Sequence, residues 1–202
     1  MAIDSVTTKN ATGTTVSFQT HTDEDGLLAS ASSRDTSLAT YSVAGTIAGA
    51  NIAATPTDVV TLVGGTKIAR VKSISIDGVA TTGVNVPIYI IKRTAANTGG
   101  TATQPTIAKF DSTDAAADAV ANVYTANPAS LGAGATISIK GLSLSAATLV
   151  AGKATWNFID EGEHAVVLRS ATQCLAINLN STAASFTGAV INYTIVWEEE
   201  TE

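Results

Sequence analysis

The sequence is short of almost everything that announces chemistry. Its 202 residues include one cysteine, two histidines and two tryptophans. The lone Cys174 excludes an intrachain disulfide, and with it a disulfide-stapled fold. It lies in the strand-like run Thr172–Leu179, where its expected role is that of a small buried hydrophobe. A nucleophilic role would need an activating base beside it, and the sequence shows none. Charge is scarce as well, at 14% of residues against roughly 25% in an ordinary soluble domain. Lys and Arg number 11 and Asp and Glu 17, a formal balance of −6. That argues against a nucleic-acid partner, which wants a cationic stripe. The longest apolar run, Val86–Ile91, falls far short of the ~20 residues that span a bilayer, so no membrane partner is expected. The amino end, Met1–Lys9, has neither a basic start nor an apolar core and does not read as a signal peptide. The chain is therefore expected to be soluble and made in the cytoplasm.

Low charge combined with 45% hydrophobic residues argues against disorder, which needs the opposite balance. The surface must instead be covered by Ser, Thr, Asn, Ala and Gly. Such a surface suits a protein that packs against copies of itself or a lattice. An ordinary secreted β domain fits the composition equally well.

What is present is β-pattern. Val59–Val63 and Lys67–Ile76 are rich in β-branched residues. Gly64-Gly65-Thr66 between them reads as a tight hairpin turn, with Asp77-Gly78 as the next turn. Ile68, Ile74 and Ile76 are expected to share a face with Arg70 and Lys72. Tyr41–Ile47 alternates, with Tyr41, Val43 and Ile47 on one side. Asn85–Arg93 forms another strand, and Pro87 places it at a strand start or a sheet edge. Ile107–Phe110 is a short strand. Thr136–Ser145 continues through Gly141, a bulge or a crossing between sheets. Ala154–Ile159 follows, then the pair Ala165–Arg169 and Gln173–Leu179. The last strand, Ala189–Trp197, stops at a solvated acidic end, Glu198–Glu202. The strand that carries Pro87 and the one that ends in these glutamates are expected at protected sheet edges. Ser112–Asn122 is Ala-rich, has a capping residue at its start and an Asp in its first turn, and predicts one short helix near residues 113–122. Pro128 closes that region. The expected fold is all-β: an antiparallel two-sheet sandwich, jelly-roll-like, with one helix.

Residues 1–40 differ from this pattern. One short strand is expected at Thr14–Phe18, and large apolar residues are sparse. The segment reads as an extended N-terminal arm ahead of a sandwich domain at 41–202. Val16, Phe18, Leu27 and Leu28 are its candidate partner-binding residues. A disordered tail is the alternative reading.

Each candidate site has a plainer explanation beside it. Asp23-Glu24-Asp25-Gly26 lacks the further ligands of a calcium loop and reads as a solvated turn. Asp160, Glu161, Glu163 and His164 surround Gly162 and read as a polar turn. His21 and His164 are not flanked by a Gly-x-Ser-x-Gly elbow or a His-Glu-x-x-His pair. Asp111, Asp114, Asp160 and Glu161 could supply a carboxylate pair for glycoside hydrolysis, but nothing selects two of them. Asn97–Gly100 lacks the Lys of a phosphate loop. Trp156 and Trp197 could form a sugar-stacking face, yet each sits in an apolar strand, which favours core packing. The expectation is therefore no catalytic residues, no metal and no cofactor.

One pattern runs through the strand region. Tyr41–Ile47, Ala54–Thr61, Ile90–Thr94 with Thr98–Thr101, and Tyr124–Pro128, taken together, resemble small virion proteins of tailed bacteriophages over about residues 41–197. The resemblance implies a non-enzymatic structural protein located in the virion. It implies a decoration or cement protein that binds the major capsid protein or another virion protein through arm and loops, as a homo-oligomer with a trimer favoured. An arm suits such a protein because weak contacts multiply over repeated sites. The alternatives are a fibre or tail-tip module contacting host surface glycans and, third, a carbohydrate-active β-sandwich enzyme or lectin.

Overall fold

The computed structural model describes residues 4–9, 15–20, 38–48, 56–146, 151–159, 165–179 and 188–200. The chain divides into two compact units, Met1–Thr36 and Ser37–Glu202. In the first, β1 (Asp4–Lys9) and β2 (Thr15–Thr20) run antiparallel, with Val6 opposite Phe18 and Thr8 opposite Val16. The strand expected over 14–18 falls on β2, and its partner β1 was not anticipated.

The second unit is a β-sandwich of two antiparallel sheets. Strands are numbered in chain order. Sheet I runs β10 (Gly134–Leu144), β6 (Val84–Arg93), β13 (Cys174–Leu179), β4 (Thr57–Val63), β9 (Val120–Ala126) and β7 (Thr101–Thr103). Sheet II runs β11 (Gly152–Asn157), β5 (Ala69–Val79), β14 (Val190–Glu200), β3 (Leu38–Ala48) and β8 (Ala108–Lys109), and β12 (Val166–Leu168) also pairs with β5. β3 begins at Leu38 and buries Ala39, so the sandwich takes in the last residues of the segment read as an arm.

Alternation puts one face of each strand into the core. Ile88, Ile90, Leu142, Leu175 and Ile177 come from sheet I, and Tyr41, Ile74, Ile76, Trp156, Tyr193 and Trp197 from sheet II. On β14, Ile191, Tyr193, Ile195 and Trp197 all point inward, and Tyr41 stacks on Trp197 with ring centroids 5.8 Å apart. Both indoles are core residues.

Several local expectations are corrected. Gly64-Gly65 is not a hairpin turn, because β4 lies in sheet I and β5 in sheet II. The connection crosses between the sheets beside the 169–173 crossing, and the Gly64 amide donates to the Gln173 carbonyl. Glycine is required there for close approach: a Cβ on Gly65 would fall 2.0 Å from Asp118 Oδ2. By the same crossing, β12 and β13 belong to different sheets and do not pair.

The face assignment on β5 also changes. Trp197 pairs with Val71 and Val196 with Ser73, so Lys72 is the extra residue of a bulge. Ala69 and Val71 before it and Ile74 and Ile76 after it therefore all reach the core, while Arg70 and Lys72 stay outside. In β10 the register shift falls at Ile137, between Thr136 and Ser138, and not at Gly141.

The helix expected near 113–122 is not formed: residues 111–119 are turns and irregular chain, and Val120 opens β9. Local turn bonds and a tertiary bond from Tyr41 outcompete the alanine-rich propensity. Asp111 Oδ1 accepts from the Thr113 amide and hydroxyl, Lys109 Nζ donates to the Ser112 and Asp114 carbonyls, and Tyr41 Oη donates to the Ala115 carbonyl. The edge assignments change too. β6 and β14 are interior strands, and the sheets end at β10, β7, β11 and β8. Pro87 is accommodated because it lies one residue past Ile88, which pairs with Leu179 in the last β13 pair among the described residues.

Candidate functional site

Three arrangements of polar or exposed side chains stand out. The first is a buried hub on β4. Asp58 is fully buried, and its carboxylate accepts four hydrogen bonds. Arg93 Nη2 and Asn178 Nδ2 reach Oδ1 at 2.6 and 2.7 Å, and Arg93 Nε and Asn97 Nδ2 reach Oδ2 at 2.5 and 2.8 Å. Arg93 Nη1 donates to the Gly132 carbonyl, and the Gly132 amide donates to Asn97 Oδ1. The bidentate pair needs this company, because two charges taken out of water are compensated only when their remaining groups are bonded. The hub fastens loop 94–100 to loop 129–133. Asn97 thus acts as an inward anchor, and Gly99 and Gly100 take positive φ behind it.

Cys174 lies opposite Arg93 on the next strand and is buried. Burial, reinforced by the Asp58 carboxylate and opposed by Arg93, pushes its thiol up to about 11. A thiol in that state is protonated at neutral pH and inert as a nucleophile.

The second arrangement is at the carboxyl end of β14, where the solvated acidic end is corrected. Glu199 is buried, and its carboxylate accepts from the Asp118 amide (2.8 Å), the Ala119 amide (2.9 Å) and Trp197 Nε1 (2.9 Å). Glu198 pairs with Lys72 and Glu200 with Arg70 on the outer face. Asp118 in turn accepts from the Lys67 amide and the Thr66 hydroxyl, which pins the sheet crossing. The Lys67 amide bond holds the Asp118 carboxyl below the usual carboxylate range. Burial, with the charges of Glu199 and Asp114 behind it, pushes the Tyr41 hydroxyl up.

The third arrangement is a lateral groove of about 280 Å³ where β10 and β11 adjoin, lined by Ile137, Ser138, Lys140, Trp156, Asn157 and Phe158. Trp156 Nε1 donates to Ser138 Oγ at 2.9 Å. Lys140 Nζ lies 5.3 Å from the Trp156 ring centroid and donates to the Thr155 carbonyl. Ile137 and Ile139 are 42% and 54% exposed, unusual for isoleucines in a strand.

Of the residues singled out from sequence, Val16 and Phe18 occupy β2. Leu27, Leu28, His21, Asp23, Glu24, Asp25, Asp160, Glu161, Glu163 and His164 lie outside the described residues. Asp111 caps the turn at Thr113, which holds its carboxyl low. Trp156 is 3% exposed, too little for a sugar-stacking platform, and only its edge at the groove meets solvent. Sequence reading missed Asp58, Arg93 and Glu199. A signal existed for the first two: each charge abuts an apolar run, and β4 is buried on both faces.

Comparison of the chain with protein-family models, with curated proteins and with solved structures finds no match.

Proposed function

We propose that the chain is a non-enzymatic structural protein of a phage virion, one that decorates the capsid surface. The reading begins from the resemblance of the 41–197 region to tailed-phage virion proteins. The observation that carries it is the set of large apolar side chains exposed at the lateral edges of the sandwich: Phe110 at 66%, Ile139 at 54%, Ile159 at 44% and Ile137 at 42%. Ile137 and Ile139 on β10 and Ile159 after β11 lie at one edge and Phe110 at the other, so each edge offers an apolar side chain to a neighbouring protein. The hub at Asp58 and the latch at Glu199 engage their charges in holding loops, which suits a scaffold. In this reading the sandwich is of the jelly-roll kind that capsid proteins use. The N-terminal segment, with Val16, Phe18, Leu27 and Leu28, contacts the shell as an arm, and copies assemble as a small ring, a trimer being favoured.

The test is binding to purified heads that lack the chain. The full chain should saturate them, and a variant lacking residues 1–36, which leaves β3 whole, should fold and bind at least tenfold more weakly. Full binding by the truncated form would remove the arm, and failure of the full chain to bind heads would remove the decoration reading.

A further inference from the structure

The sandwich carries a knob and a groove on opposite edges. Phe110 follows β8, the last strand of sheet II, and is the most exposed large apolar residue among those described. It does not hang from a loose loop. Its amide donates to the Thr40 carbonyl, Asp111 caps Thr113, Lys109 grips two carbonyls of the next turn, and Tyr41 holds Ala115. A fixed aromatic side chain loses little freedom on docking, the property that makes a binding hot spot.

β11 lies at the other end of the same sheet and adjoins β10. The groove there is walled by Ile137, Trp156 and Phe158, with the Lys140 ammonium at its rim. Its volume, about 280 Å³, is near the lower end of the ~300–1,000 Å³ typical of ligand sites and has room for a phenyl ring.

We infer that Phe110 of one copy seats in the β10–β11 groove of the next copy. Charge fits this occupant: the exposed carboxylate of Asp111 directly follows the knob, and Lys140 borders the groove. Knob and groove are different surfaces, so the contact is heterologous. Each copy offers one of each, and the contact repeats until a ring closes. The inference concerns copies of this chain alone and stands whether or not the virion reading holds.

The experiment is sedimentation velocity of the full chain over a concentration series, with Phe110→Ala and Ile137→Asp. Both side chains are exposed, so folding is read independently from an unchanged melting temperature. Wild type should associate. Each variant should weaken association about 30-fold, which is ~2 kcal/mol at 1.4 kcal/mol per tenfold. An equimolar mixture of the two variants should form a dimer and nothing larger, because one intact knob then meets one intact groove. Wild type that stays monomeric at the highest concentration would overturn the inference. So would association indifferent to either substitution, or a mixture that stays monomeric.

Discussion

Replacing Asp58 by alanine is the most informative single change to this molecule. Arg93 is 5% exposed and would be left with its guanidinium in a dry site, its one remaining bond being to the Gly132 carbonyl. Asn97 Nδ2 and Asn178 Nδ2 would lose their acceptor at the same time. Removing one partner of a buried ion pair costs ~3–5 kcal/mol, and most of that is the charge left behind. The orphaned amides would each add ~1–3 kcal/mol if the terms were independent. They share one site and are not additive, so about 4–5 kcal/mol is expected. That is a large part of the ~5–15 kcal/mol that holds a domain together. Urea unfolding followed by fluorescence of the buried Trp156 and Trp197 reads it directly, as a lowered midpoint with the slope unchanged. Removing the stranded charge as well, in Asp58→Leu with Arg93→Leu, should recover at least half of the loss. A single Asp58→Ala variant within ~1 kcal/mol of wild type, the ordinary effect of any substitution, would refute the account of the hub.

Three further outcomes are expected. Glu199→Ala should speed hydrogen exchange selectively at the Asp118 and Ala119 amides and lower stability by ~2–3 kcal/mol, since bonds to a charged acceptor are the stronger kind. Cys174 should resist thiol reagents at neutral pH in the native protein and react only on unfolding. Because its folded pKa is raised from 9.0 to about 11, its contribution is complete below pH 9 and is lost as pH rises towards 11. A rise of that size corresponds to roughly 3 kcal/mol. Cys174→Ala should flatten the stability profile in that window relative to wild type, while Tyr41 and Tyr193, also raised by burial, add the same slope to both proteins. Glu198→Ala breaks a partly exposed pair with Lys72 and should cost no more than ~1 kcal/mol by the same unfolding assay.

The two-sheet sandwich was legible in the sequence because period-2 alternation is a local signal. Tyr41, Val43, Ile191, Tyr193, Ile195 and Trp197 declare their face within a few residues. What was not legible depends on partners distant in the chain. The run from Val59 to Ile76 looks like a hairpin, and only the pairing of β4 with β13 and of β5 with β14 shows that its two halves belong to different sheets. The alanine-rich stretch after Ser112 has helix propensity, which is a weak preference. It yields to Glu199, whose carboxylate arrives from about 80 residues further along the chain and takes two of its amides. The bulge at Lys72 hid the true face of β5, because one extra residue inverts the parity of everything before it. Asp58 and Arg93 were visible as charges beside apolar runs, but nothing local pairs them across 35 positions.

The proposed role is that of a structural component packed at repeated sites on a phage particle. Under the proposed virion role, quantitative mass spectrometry of purified phage particles is the deciding measurement. A decoration protein should be present at a copy number commensurate with the repeating capsid lattice. Absence from purified particles, or a copy number matching only the tail or a single vertex, would contradict that role.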